Sequence, residues 1–377
     1  MIYDIIIVGA GPVGSYAAYI LARKGFKVLV LERKRSGESV PVCTGIIGKE
    51  VFDQFDVPAD AILSTIDTVA FYSPSGRAVR IPFDDPPAFV VDRGMFDRDI
   101  RLLAQESGAE FRFGAAGKHV NLCPQYAEIV LDESSERLQA RVIILATGPD
   151  QSLLKNLDLG QSPSWVIGAQ VEAQMTDVDK TEIYLGKKIA PDGFAWVVGI
   201  NNNRVRLGLV TSRNATGFLH HFLLDPRVLS RVQSIGPMAS KPILVGQPQR
   251  TYSNRLLVIG EAAGQVKSTT HGGIYYGFIG AVCAAGIVQE AFAEAEFDRE
   301  MLKGYEARWK AFLENEIRMG LVARKFLSCL PDKYIDNFFK LLDEEKILAK
   351  HMKGFKFDWH TEFIVSLVKQ SLWKCIA

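Results

Sequence analysis

The sequence predicts an α/β (α+β composite) fold: a Rossmann-like nucleotide-binding domain, an inserted antiparallel β-sheet domain and a C-terminal helical region. Three observations predict it. The chain opens on a β-branched run, Ile5-Ile6-Ile7-Val8, leading into Gly9-Ala10-Gly11-Pro12-Val13-Gly14, a helical pattern and a second strand that ends on Glu32. Residues 166–212 alternate apolar and polar positions in runs broken by Asn201-Asn202-Asn203, the pattern of antiparallel sheet with a hairpin. From Asp298 onward the chain is charged and mostly helical in period.

Each part of the opening unit has a physical task. Gly9 permits the tight turn out of the strand, and Gly11 lets backbone approach a pyrophosphate without a Cβ in the way. Gly14 lets the helix pack close to the sheet, and the helix N-terminus presents N–H groups to phosphates. Glu32 is an acceptor placed for ribose hydroxyls, which separates this pattern from a chance glycine cluster. A helix is expected near Gly48 to Phe55, then strands over 67–91 turning at Ser73-Pro74-Ser75-Gly76. Met95 to Glu106 follows an i, i+3, i+4 period, and short strands span 110–132. Ala140 to Leu145 reads as a buried strand entering Ala146-Thr147-Gly148. A helix is expected near Gly217 to Leu224. The buried-strand pattern returns at Arg255 to Ile259 and meets Gly260-Glu261-Ala262-Ala263-Gly264, read as the start of a long helix. Residues 1–66, 92–165 and 245–300 are thus expected to form a discontinuous nucleotide domain. Residues 67–91 and 166–244 form the antiparallel-sheet domain, and 301–377 the helical region. A ligand belongs at the junction, where pockets form.

Bulk properties narrow the class. The 377 residues are 48% hydrophobic with net charge +1, which argues against nucleic acid or another polyanion as partner. The five cysteines (Cys43, Cys123, Cys283, Cys329, Cys375) are scattered, with no metal-ligand spacing, and fit a reducing, cytoplasmic setting. No secretory leader is expected before the first core strand. Ser268 to Gln289 lacks charge and is long enough to span a bilayer, but its Thr269-Thr270-His271-Gly272-Gly273 start favours a glycine-rich loop and a buried helix. The tail, Lys333 to Ala377, with Trp359 and Trp373, suits either an interfacial helix on a membrane or helices packed on the body.

Taken together, the two glycine motifs, Val91-Asp92-Arg93 with Phe96-Asp97, and Ala146-Thr147-Gly148 resemble the flavoprotein superfamily typified by p-hydroxybenzoate hydroxylase. Within it, Pro41-Val42-Cys43-Thr44-Gly45 is similar to the P-x-x-C-x-G motif of the geranylgeranyl reductases. Phe194-Ala195-Trp196 is similar to their aromatic-x-tryptophan segment, and Gln265 to Gly277 to their glycine-rich loop. The resemblance covers about residues 1–300. Three departures stand out: Glu261 where aspartate is usual, Val197-Val198 where Phe-Pro is frequent, and His271 where glycine is common.

What the resemblance implies is specific. FAD is the cofactor, held by Gly9, Gly11, Pro12, Gly14, Glu32, Arg33, Cys43, Thr44, Gly45, Arg93, Gly148, Gly260, Glu261, Gly272, Gly273 and Ile274. Cys43 lies over the flavin, where a thiol can protonate a carbon after hydride reaches its neighbour. A buried apolar role is the plainer alternative for a free cysteine. His271 is the second candidate proton donor, since an unperturbed imidazole titrates near neutrality. Phe194, Trp196 and Tyr275, with Tyr276, are candidates for a hydrophobic substrate tunnel, though core packing explains each one alone. The implied reaction saturates C=C bonds of a geranylgeranyl-type isoprenoid lipid. With no second GxGxxG, electrons come from transiently bound NAD(P)H or from a redox protein. The expected location is cytoplasmic, with peripheral contact to the inner face of the membrane. The alternatives are a monooxygenase or halogenase of the same fold, and a non-catalytic isoprenoid- or quinone-binding flavoprotein.

Overall fold

The computed structural model describes residues 2–36, 41–178, 181–201, 203–345, 355–362 and 365. Trp373 and Cys375 lie outside them. β1 (Ile2–Val8) feeds α1 (Pro12–Arg23), which returns to β2 (Val28–Glu32). The chain then runs through β3 (Ile46–Gly48), α2 (Lys49–Gln54), β4 (Ile62–Ile66), β5 (Thr68–Tyr72), β6 (Ala78–Pro82) and β7 (Ala88–Val91). Next come α3 (Arg93–Glu106), β8 (Glu110–Phe113), β9 (Gly117–Leu122), β10 (Ala127–Leu131) and β11 (Arg137–Leu145). The antiparallel stretch is β12 (Ser164–Met175), β13 (Thr181–Tyr184), β14 (Phe194–Asn201) and β15 (Arg204–Thr211). After α4 (Ala215–Leu223) and α5 (Pro226–Leu229) come β16 (Val232–Ile235), β17 (Ala239–Val245), β18 (Tyr252–Ser253) and β19 (Leu256–Val258). The long helices α6 (Ile274–Glu294), α7 (Arg299–Cys329) and α8 (Asp332–Glu345) follow.

The described residues form three sheets. The first has the order β18-β19-β11-β1-β2-β8, with β9 and β10 as an antiparallel flap on β11. β1 runs parallel to both β2 and β11, with Val8 level with Leu31 and Leu145. A central strand covered on both faces cannot alternate, which is why Ile5, Ile6 and Ile7 are all fully buried. One face packs against α1, α3, α6 and α7, where Trp309, Tyr305 and Phe278 are buried. The second sheet has the order β16-β12-β15-β14-β13-β5-β6, with α4 and α5 on one face.

Two expectations need correction. Residues 88–91 do not continue the β5–β6 hairpin. β7 pairs with β3 and β4 in a small third sheet, so the stretch 67–91 divides between two sheets. The long helix does not begin at Gly260 either. Gly260–Ala263 is one 3₁₀ turn ending at Gly264 (φ 72°), and α6 starts ten residues later at Ile274. α6 is long and apolar enough to cross a membrane by composition, yet it packs between α1 and α7, with Tyr16 stacked on Phe278 at 4.4 Å. It is a core helix.

Candidate active site

The turn after β1 separates packing glycines from a ligand-facing one. A Cβ on Gly9 (φ 113°) would lie 2.3 Å from the Ala146 carbonyl oxygen, and one on Gly14 would lie 2.0 Å from the Gly9 oxygen. A Cβ on Gly11 would meet nothing within 4 Å. Gly11 faces a cavity of about 1130 Å³. Glu32 ties the end of β2 to this turn: its carboxylate accepts from Ala10 N and Lys34 N, both at 3.0 Å. Arg33 points elsewhere, to Asp150 at 2.7 Å, and is not part of the cavity wall.

The cavity runs from Gly11, Pro12 and Gly14 past Gly148, Gly260 and Glu261 to Cys43, Thr44, Arg93 and the loop Gly272-Gly273-Ile274. It continues between the second sheet and α7 and α8. Phe194, Trp196 and Tyr275 line it, while Tyr276 does not: its hydroxyl is buried and donates to the Asp358 carbonyl at 3.1 Å. Trp196 lies over Gly208, where a Cβ would meet the indole at 2.4 Å. Glu261 accepts from Leu244 N at 3.1 Å, and burial raises its carboxyl pKa against the pull of Lys241 and Arg93.

Cys43 is held by a network that the sequence did not announce. Arg93 Nη1 donates to Cys43 Sγ at 3.1 Å, and its other donors grip Asp97 as a fork at 3.0 Å. Gly45 N donates to Sγ at 3.4 Å. Burial alone would raise the thiol pKa, but Arg93, Lys241 and the Gly45 N–H together hold it below the ordinary value. From the second sheet, Gln170 Nε2 donates to the Cys43 carbonyl at 3.1 Å, and Arg206 Nη1 donates to the Thr44 and Val91 carbonyls at 2.8 and 3.1 Å. Gly45 (φ 77°) is required because a Cβ there would lie 2.3 Å from Arg206 Nη1. Gln170, Arg206 and Lys241 were missed. The one available signal was a charged residue, Arg206, between Val205 and Leu207 in a strand that runs on as Gly-Leu-Val.

His271 lines the cavity. Burial, with Arg324 nearby, pushes its imidazole down to about 3, which favours the neutral form. Its φ of 62° explains why glycine is common at this place in the resembling family.

The residues fit FAD. Open space faces Gly11 and Gly148, and the first amides of α1 and α6 have no side-chain cap, leaving donors for phosphate and for a polar ring edge. A family model described as FAD dependent oxidoreductase matches residues 4–79. The chain carries an FAD-dependent oxidoreductase domain. This flavoprotein is 29% identical over 358 residues to a digeranylgeranylglycerophospholipid reductase of Methanocaldococcus jannaschii, covering 91% of each chain. Its fold matches the crystal structure of a geranylgeranyl bacteriochlorophyll reductase-like protein from Thermoplasma acidophilum with a TM-score of 0.87, at 22% identity, over 99% and 97% of the two chains. A halogenase variant solved with FAD matches less well: TM-score 0.67, 14% identity, 91% and 84% covered.

Proposed function

We propose that this FAD-dependent oxidoreductase saturates C=C bonds of a polyprenyl lipid. The observation that carries the reading is the shape of the cavity. It is continuous from the dinucleotide motif, past the Cys43–Arg93 pair, into an apolar channel walled by the second sheet and by Phe326, Leu327, Phe338 and Leu342. A long apolar substrate needs such a channel, and the curated relatives are named for reducing geranylgeranyl lipids.

Bound FAD supplies the hydride chemistry. The protein's residues supply the rest. Phe194 and Trp196 line the channel and would hold the alkene in place, and α7 and α8 would keep water out. Cys43 Sγ holds the proton destined for the second alkene carbon, and Arg93 fixes where that sulfur points. The deciding experiment is anaerobic. Protein reduced with dithionite is mixed with a geranylgeranyl lipid, and the product is weighed by mass spectrometry. Flavin reoxidation with gain of hydrogen supports the reading. A product that forms only with oxygen would favour a monooxygenase or halogenase, and no turnover a carrier.

Two companion proposals follow. The electron donor is NAD(P)H in passing contact or a redox protein, which rapid mixing with each nucleotide separates. Contact with the inner face of the membrane runs through Val322, Phe326 and Leu327 on α7. They are exposed and also line the cavity, so a lipid tail reaches it without crossing water. Sedimentation with lipid vesicles tests this, and a Phe326→Ser protein that still sediments like the wild type argues against it.

A further inference from the structure

A second cluster of ionisable groups sits in the cavity wall, apart from Cys43. Lys267, in the loop before α6, is ion-paired with Asp358 (Nζ to Oδ1 2.5 Å), and their side chains are only 4% and 3% exposed. Glu50, on α2, completes the cluster. A Cβ on Gly48 would lie 2.0 Å from Asp358 Oδ2 and 2.8 Å from Glu50 Oε2, so the two carboxylates converge on one point. Both of those oxygens are buried with no hydrogen-bond partner among the described residues.

Two bare carboxylate oxygens that approach one point out of water repel, and each forfeits a hydrogen bond. A single proton between them removes both costs: a protonated Glu50 donates to Asp358, whose other oxygen stays with Lys267. Burial, with Asp358, raises the Glu50 carboxyl pKa against the pull of the Glu50 and Asp358 backbone N–H groups and of Lys267, and the net rise favours that proton. The cluster borders the cavity that Cys43 also lines. Lys267 and Asp358 line the cavity, and a Cβ on Gly272 would lie 2.9 Å from Lys267 Cε. Glu50 follows the Cys43 loop by way of the short strand β3.

We propose that Glu50, Asp358 and Lys267 hold one exchangeable proton in the cavity wall and release it to the protonation half of the reduction. This rests on the polyprenyl reductase reading. Saturating an alkene consumes a hydride, delivered from the flavin, and a proton. The O–H bond at Glu50 breaks, a C–H bond forms at the alkene through Cys43 or a cavity water, and the store refills from solvent. Glu50 acts through another group and is a positioning residue. The neighbouring titratable groups have other partners, and Lys49 is bonded to Asp85. His360 is bonded to Thr269 Oγ1 and the Phe357 carbonyl, and burial with Lys267 pushes it down to about 4. Glu316 accepts from His360 N and Thr361 N, the Tyr276 hydroxyl donates to the Asp358 carbonyl, and the Tyr275 hydroxyl donates to Gln54. None of them bonds the two bare oxygens.

The test uses the FAD-loaded protein and its Glu50→Gln and Glu50→Asp variants. In infrared spectra at neutral pH, the wild type should show a protonated-carboxyl stretch that Glu50→Gln lacks and Glu50→Asp partly restores. In anaerobic stopped flow, Glu50→Gln should accept electrons from dithionite at the wild-type rate. Its reoxidation by a geranylgeranyl lipid should be roughly 10-fold or more slower and should lose the wild-type pH dependence. A wild type without the carboxyl band, or a Glu50→Gln protein that reoxidises at full rate, overturns the proposal. A wild type that the lipid does not reoxidise overturns the function instead, and the infrared band still decides whether the proton is stored.

Discussion

Cys43 shows how far a single residue's chemistry depends on what surrounds it. A buried thiol on its own is a poor acid, yet Arg93, Lys241 and an amide reverse the effect of burial. Removing the nearest charge should undo this. In Arg93→Gln, the rate of iodoacetamide alkylation at Cys43 should rise with pH along a curve displaced upward from that of the wild type. The same network has a stability consequence. A thiol pKa lowered on folding stabilises the protein above the unfolded thiol's pKa, and that gain disappears as pH falls through the folded value. Cys43→Ala should still bind FAD and accept electrons, but reoxidise with a prenyl lipid roughly 10²–10⁴-fold more slowly in anaerobic stopped flow. Cys43→Ser should lose less, since a hydroxyl can relay a proton through water. If Cys43→Ala matches the wild type, the thiol is packing alone. Cys43 was legible because it sits in a local motif. Its partners Gln170 and Arg206 were not, because they are more than a hundred residues away and only the fold brings them together.

At the scale of elements, the first βαβ unit was readable because turn, helix start and acidic strand end are all local. Its glycines separate by role, and this can be measured. Gly11→Val adds a side chain to open space, so the apoprotein should lose at most about 1 kcal/mol from the changed N-cap. FAD binding should nevertheless collapse, as the pyrophosphate path is filled. Gly14→Ala drives a Cβ to within 2.0 Å of a backbone oxygen, and should lower apoprotein stability by about 1–3 kcal/mol. Thermal unfolding of the apoproteins, together with FAD titration, checks both. Equal losses of stability would show that Gly11 also serves packing. Elsewhere the elements were less legible. The small residues after Gly260 look like a helix start, but Gly264 adopts a left-handed φ and ends the turn at once. β7 was read correctly as a strand, yet nothing in Ala88–Val91 says which sheet it joins. β7 leads directly into α3, which starts at Arg93 behind its cap Asp92 and sets Arg93 beside Cys43.

At the scale of the molecule, the cavity owes its length to the width of the second sheet. Gln170 on β12 bonds the Cys43 loop, and the wall then passes Val210 on β15, Trp196 on β14, Ile183 on β13, Phe71 on β5 and Val79 on β6. Five strand spacings separate β12 from β6, about 24 Å across the sheet. α7 and α8 roof this span with apolar positions three and four apart, among them Ala323, Phe326 and Leu327, then Ile335, Phe338, Phe339 and Leu342. The composition of the tail suggested either a membrane helix or helices on the body, and could not say that one face would close a channel. Trp359 packs on Tyr275 and Tyr276 at 5.9 and 6.4 Å, so that part of the tail lies on the body. A channel that crosses the sheet should measure its substrate. Val79 lies on the outermost strand, farthest in the sheet from the strand that bonds the Cys43 loop. Val79→Trp should therefore block the distal end and leave the chemistry intact. The expected result is a kcat/KM for geranylgeranyl lipids reduced by roughly 10-fold or more, the scale of a pocket clash worth 1–3 kcal/mol, with geranyl compounds turned over as by the wild type. Dithionite reduction and FAD content should not change. If long and short chains slow equally, the lipid does not extend across the sheet, and the channel between β6 and α8 is not where it lies.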